Sequence, residues 1–349
     1  MKDIAKMNII KNSDLKLIKN KLKDNHIDLD RLCRGLSMSE KVIVVCGPTC
    51  TGKSKLGIIM AKLIHTDIIS IDSMQVYRGM DIGTDKYDSI ECGVKQFMTD
   101  IFEPDHGLSV VEFKDICRNI IEKDFFQKEK IPLMVGGSGM YMRAVIRNMD
   151  QLPIGRGPIR KKLKEGIKKE GIEKYYRKLK KIDKDYAQKI SENDHRRIIR
   201  ALEVYQITGI PFSEFQNAWK EPEQEYDSVI FGLEMERSGL YECIKKRVDS
   251  MFEKGLVNEV QNLIKKGYKN CNSLLHAVGY KEVVRYLNGE ISLDECIDEV
   301  TINTRRLAKK QMTWFRSETK INWIRVNNYD NIFKLILDIF KLLEKSISR

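Results

Sequence analysis

Hydrophobic positions change their spacing near residue 41. Residues 1–37 are rich in lysine with scattered apolar positions, whereas Val42-Ile43-Val44-Val45-Cys46 is a continuous apolar run of the buried-strand type. Comparable runs follow at Ile68–Ile71, Phe97–Ile101 and Ile131–Val135, with helical stretches between them. Apolar strands alternating with helices predict a parallel α/β sheet with helices on both faces. Ser228–Leu233 and Ile321–Val326 read as later strands that return to the sheet, and 331–349 as a C-terminal helix. The fold is therefore expected to begin at Val42. Residues 1–40 are expected to form a basic extension, either a flexible arm or an upstream start ahead of Met38, and residues 1–37 to be dispensable for activity.

Charge breaks this pattern between residues 150 and 220. Residues 160–185 hold twelve Lys/Arg and five Asp/Glu, a net +7 within a chain whose total is +12. The segment is helical in composition and too polar for sheet core. A helical insertion into the α/β core, running from 41–149 and resuming at 221–330, accounts for both facts. A basic balance favours polyanionic partners, although a solvated helix surface explains the segment equally well. No apolar run approaches the ~20 residues of a membrane span. The first forty residues lack the apolar block of a secretory signal, and Asp14, Asp24 and Asp28 argue against a transit peptide. The eight cysteines show no C-x-x-C pair and no zinc spacing. Free thiols in a cytoplasmic protein without a membrane partner are expected.

Chemistry enters directly after the first strand. Gly47-Pro48-Thr49-Cys50-Thr51-Gly52-Lys53-Ser54 satisfies G-x-x-x-x-G-K-[ST] between a strand and a helix. Such a loop turns backbone N–H groups toward phosphate oxygens, and the helix N-terminus adds positive potential. Lys53 supplies a point charge and the Ser54 hydroxyl a ligand for Mg²⁺, so these eight residues are expected to bind a di- or triphosphate. Hydrolysis is not indicated, because the strand Ile131–Val135 ends in Gly136-Gly137-Ser138-Gly139 rather than in an acid. Those glycines suit a second phosphate or ribose contact, or close packing. Asp72 ends the second strand, where ligands of open α/β sheets bind. A metal-shell role and a general-base role both stay open for it.

Several stretches together resemble the tRNA dimethylallyltransferases. They are the phosphate loop, Asp72–Gly83, Gly136–Tyr141, Asn193–Val204, Thr208-Gly209, Arg247-Val248-Asp249, Gly279–Glu282 and Ala308–Arg316. The resemblance runs in order from about 42 to 326. It implies a P-loop NTPase-like parallel sheet core with an inserted helical domain that grips the anticodon stem of tRNA. It also implies transfer of a dimethylallyl group from dimethylallyl diphosphate to N6 of the adenosine 3′ of the anticodon, with Mg²⁺ as cofactor. By this resemblance Asp72 is the general base, and Ser54 and Arg247 complete the catalytic set. The tRNA contacts it implies are Asp72, Ser73, Met74, Gln75, Ser138, Arg160, Arg196, Arg197, Ile198, Ile199, Arg200, His276, Ala277, Val278, Gly279, Tyr280 and Lys281. Ser73 and Gln75 would read the extruded adenine. A bacterial cytoplasmic monomer is expected. The chain departs from the family pattern at Lys95-Gln96-Phe97, where Pro-His-His is usual, and at Ser138, where Thr is usual. A small-molecule kinase, an RNA-binding NTPase and a prenyltransferase acting on free AMP are the competing readings.

Overall fold

A computed structural model describes residues 12–147, 157–218, 225–329 and 331–347. The six strands are β1 (Val42–Cys46), β2 (Ile68–Ser70), β3 (Gln96–Phe97), β4 (Leu133–Gly136), β5 (Ser228–Glu234) and β6 (Ile321–Arg325). They form one sheet in the order β3-β2-β4-β1-β5-β6, and every pairing is parallel. The run at β1 is continuous because both its faces are dry. Val42, Val44 and Cys46 enter one core with Ile69, Met134 and Ile230, while Ile43 and Val45 enter the other with Leu133, Val135 and Phe231. The chain moves outward from β1 to β2 and β3, returns through β4, and continues on the other side through β5. That reversal opens a crevice at the carboxyl ends of β1 and β4, where such sheets bind ligands.

The third strand is shorter than the run Phe97–Ile101 suggests. Met98 (φ 63°) and Asp100 (φ 53°) are left-handed, so pairing with β2 ends after Phe97.

The chain divides into one unit of Met1–Ile146 with Tyr226–Arg349 and another of Arg147–Glu225. The boundaries read at 150 and 220 themselves lie outside the described residues. Within the smaller unit, helices Gly157–Glu170, Ile172–Ile182 and His195–Thr208 enclose Leu163, Ile167, Leu179, Ile198 and Leu202. Lys161, Lys162, Lys164, Lys168 and Lys169 face solvent on the first of these helices.

The expectation of a flexible arm does not hold for residues 12–38. They form two helices, Asn12–Asp24 and Leu29–Met38, the second capped by Asp28, whose carboxylate accepts from Arg31 N at 3.0 Å. Ile18, Leu22, Ile27, Leu32 and Leu36 are buried with Ile336, Ile339, Phe340 and Leu343 of the helix Ile332–Ile347. Contact is close enough that a Cβ on Gly35 would lie 2.9 Å from Ile347 Cδ1. The apolar spacing that produces this packing is sparse in sequence, because lysines fill the intervening solvent-facing positions. Each such side chain contributes roughly 1.5–3 kcal/mol on burial. A chain starting at Met38 should therefore unfold roughly 5–10 °C below the full chain, or aggregate. A thermal melt that matches the full-length protein would overturn this expectation.

Candidate active site

The phosphate loop leaves β1 through backbone that few residues adopt. Gly47 lies at φ 139°, and a Cβ there would meet Leu233 O at 2.4 Å. Gly52, at φ 90°, caps the helix Lys53–Leu63. Thr51 Oγ1 and Lys53 Nζ both donate to Pro48 O, at 2.9 and 2.6 Å, which closes the loop on itself. Burial pushes the Lys53 ammonium down to about 8, with Arg247 adding to the fall and Asp72 opposing it. An arriving diphosphate would restore its charge. Titration of Lys53 should therefore leave affinity for diphosphate unchanged well below pH 8, where the ammonium is already charged, and lower it above pH 8, with proton uptake on binding. Calorimetry at pH 9 in buffers of different ionisation enthalpy measures that uptake. It should vanish in Lys53→Met; equal uptake in both proteins would assign it elsewhere.

Across the crevice, Asp72 follows β2. One carboxylate oxygen accepts from Met74 N at 2.8 Å, which turns the chain, and the other has no hydrogen-bond partner among the described residues. The strand between β2 and β1 is β4, and it ends in glycine. A Cβ on Gly136 would sit 2.5 Å from Ile71 O, and one on Gly137 would sit 2.4 Å from Gln311 Nε2. No side chain therefore rises from these two positions between Asp72 and the loop. Ser138 ties the two strand ends together, since its N–H donates to Ile71 O at 3.1 Å and its Oγ accepts from Ser73 N at 3.2 Å. Close packing is thus a sufficient reason for glycine at positions 136 and 137.

Arg247, on the helix Arg237–Glu253, reaches the loop from the other side. Its Nη1 donates to Thr49 Oγ1 at 3.0 Å and to Asp85 Oδ2 at 3.1 Å. Burial disfavours the guanidinium charge, but Asp85 and Asp72 among its neighbours outweigh that, and its pKa is raised. Lys53, Arg247 and Asp72 thus share one electrostatic neighbourhood. Gln311 fixes its floor: Oε1 accepts from Thr49 N at 2.9 Å, and Nε2 donates to Gly137 O at 3.1 Å. The sequence string Ala308–Arg316 contains Gln311, but only the fold shows what it joins. Ser54 opens the helix beside Lys53. No group of three or more His, Cys, Asp or Glu side chains that could share a metal ion exists among the described residues. A lone hydroxyl fits Mg²⁺ that keeps most of its waters and arrives with phosphate oxygens.

Gln75 is placed differently from its expected role. It is only 8% exposed, and its amide oxygen accepts from Ser70 Oγ at 2.7 Å and Gln96 Nε2 at 3.1 Å. Its Nε2 donates to Thr84 O at 3.0 Å. Both ends of the amide brace the Asp72–Gly83 segment. Gln96, where the chain departs from the family pattern, is part of that brace. Ser73 and Met74 are half-buried beside Asp72.

Of the remaining expected RNA contacts in this unit, exposed His276 and half-buried Lys281 offer polar groups at the surface. Ala277 is buried, Val278 half-buried, and Gly279 N donates to Glu282 at 2.8 Å. Tyr280 is fully buried; its ring packs against Gly83 and its hydroxyl donates to Glu259 at 2.6 Å. Within the smaller unit, Ile198 and Ile199 belong to the core. Arg160 and Arg200 both pair with the buried Glu203, at 2.7 and 2.9 Å, so part of their charge is spent inside the fold. Arg196 and Arg197 are exposed, with Arg197 3.4 Å from Asp194.

Residues 75–318 match the model of the IPP transferase family, and residues 40–92 match that of isopentenyl transferases. A tRNA dimethylallyltransferase of Thermoanaerobacter sp. (strain X514) is 43% identical over 310 residues, 88% of this chain and 98% of the relative. One from Carboxydothermus hydrogenoformans is 47% identical over 288 residues, 82% and 92% of the two chains. Among solved structures, a tRNA isopentenylpyrophosphate transferase of Bacillus halodurans aligns with TM-score 0.65 and 37% identity, covering 88% of this chain and 97% of that one. A eukaryotic dimethylallyltransferase acting on tRNA aligns with TM-score 0.67 and 27% identity, covering 82% and 74%.

Proposed function

Because the chain belongs to the tRNA dimethylallyltransferase family of prenyltransferases, we propose that it transfers the dimethylallyl group of dimethylallyl diphosphate to N6 of the adenosine immediately 3′ of the anticodon. One observation carries this reading. A carboxylate with an unengaged oxygen, Asp72, faces a phosphate loop across a strand whose end carries only glycine.

The adenine amine is a poor nucleophile because its lone pair is delocalised into the ring. As N6 bonds to the allylic carbon, the C–O bond to diphosphate breaks, and the N6 proton passes to Asp72. The leaving oxygens gather charge where the loop N–H groups, Lys53 and Arg247 are already oriented, so little reorganisation is needed. Ser54 would hold Mg²⁺ that enters with the diphosphate, and that ion would supply further charge neutralisation. The target base must leave the stack to reach Asp72. Ser73 and Met74 lie nearest to receive it, while Gln75 holds the segment that presents them.

Affinity for tRNA is assigned largely to phosphate contacts by solvent-facing lysines and by Arg196 and Arg197, which would make it steeply salt-dependent. A soluble cytoplasmic enzyme fits this substrate; among the described residues no helix is long and apolar enough to cross a membrane.

The test is incubation with dimethylallyl diphosphate, Mg²⁺ and unmodified tRNA, then mass analysis of the nucleosides. A 68 Da gain on one adenosine beside the anticodon is expected from the added C₅H₈, by stoichiometry about one per tRNA. Modification of free AMP instead, or ATP consumption without prenylation, would point to the competing enzyme classes.

A further inference from the structure

Asp85 has no part in the transfer described above, yet it occupies the guanidinium that the leaving group needs. Arg247 Nη1 makes both contacts, 3.0 Å to Thr49 Oγ1 of the phosphate loop and 3.1 Å to Asp85 Oδ2. We propose that Asp85 is an affinity-determining anion, holding Arg247 in the donor-free enzyme and yielding it to diphosphate when donor binds. This rests on the diphosphate reading of the loop and goes beyond it, by assigning a residue that sets how tightly donor and product are held.

The placement of Asp85 is built from both sides. Upstream, the Glu259 carboxylate gathers three successive backbone N–H groups, from Asp81 at 3.1 Å, Ile82 at 2.8 Å and Gly83 at 3.4 Å. Asp85 N then donates to Ile82 O at 3.2 Å, and the residue itself sits at φ 60°. Downstream, the Lys86 side chain is 7% exposed, and its ammonium donates to Tyr77 O, Asp81 and Asp100 at 2.6–2.7 Å. A carboxylate on so constrained a turn is presented to Arg247 rather than swept past it.

The strength of the pair suits an exchange. The Asp85 side chain is 57% exposed and that of Arg247 23%, so the pair is partly solvated and weak. A diphosphate brings more charge and several oxygens to the same guanidinium, with bidentate geometry open to it. It displaces the carboxylate, and after transfer the carboxylate competes again, which hastens product release.

The experiment measures binding of inorganic diphosphate with Mg²⁺ to the wild-type chain, Asp85→Asn, Arg247→Gln and the double variant. Asparagine tolerates the left-handed backbone of position 85, and glutamine at 247 is a neutral polar side chain that suits a helix, so the folds should survive; melting curves check this. Asp85→Asn is expected to bind diphosphate about two- to fivefold more tightly, the range of one partly exposed ion pair. Product inhibition of tRNA prenylation should strengthen by the same factor. In the Arg247→Gln background the substitution should change nothing. Equal or weaker binding by Asp85→Asn overturns the proposal, because the carboxylate would then be orienting Arg247 for the ligand. The same gain in the Arg247→Gln background also overturns it, since Asp85 would be acting on neighbours such as Lys55. If the wild-type chain binds no diphosphate, the donor-site reading falls and the exchange falls with it.

Discussion

Asp72→Asn should lower kcat by about 10²–10⁴-fold, the range of a positioned general base, while donor affinity changes only a few-fold. The asparagine side-chain oxygen can still accept from Met74 N, so the turn after β2 survives. What disappears is the oxygen that would take the N6 proton. A metal-shell role for Asp72 predicts something different: activity of the Asn variant should return as Mg²⁺ is raised. The deciding measurement is single-turnover prenylation of tRNA across a Mg²⁺ titration, with donor binding followed in parallel. Full rescue sinks the general-base assignment, and an unrescued defect with normal donor binding supports it. Such a variant should also melt with the wild type, because Asp72 is not part of either sheet core.

Sequence carried those parts of the molecule whose cause is local. The Val42–Cys46 run, the glycines of the phosphate loop and the lysine after them are adjacent in the chain, and they fold as their pattern implies. Asp72 could be placed at a strand end for the same reason. Legibility stopped where a residue's role is set by partners far away. Gln75 looks like a base reader until Ser70, Gln96 and Thr84 are found to occupy its amide. Arg200 and Arg160 are expected at RNA, yet both are drawn to Glu203, which is wholly buried. Tyr280, expected to face RNA, is committed to Glu259, whose three amide contacts had no signal in sequence. The helices of 12–38 were hidden by composition, since lysine-rich stretches read as solvated even when every fourth or fifth residue is buried.

Arg247→Ala should damage binding and chemistry together. Arg247 and Asp85 are 162 positions apart in sequence, and Thr49 lies 198 from Arg247, so this guanidinium is where the helix Arg237–Glu253 meets the phosphate loop. Charge on the departing diphosphate grows as the C–O bond breaks, so a fixed cation stabilises the transition state more than the bound donor. Loss of one such preorganised donor group typically costs about 10²–10³ in kcat, and donor affinity should fall with it because the ground-state diphosphate carries charge already. Alanine also leaves the Asp85 carboxylate facing the diphosphate without its partner. Arg247→Lys should recover only part of the loss, since an ammonium restores charge but not the fork that spans two oxygens. tRNA affinity, measured without donor, should stay near wild type if the guanidinium serves the diphosphate alone. In the proposed reaction Asp72 would act at the forming bond and Arg247 at the breaking one. A variant lacking both should therefore be slower than either single variant. A double variant no slower than Asp72→Asn alone, or a tRNA affinity that collapses with Arg247→Ala, would mean that Arg247 works on the nucleophile's side of the reaction.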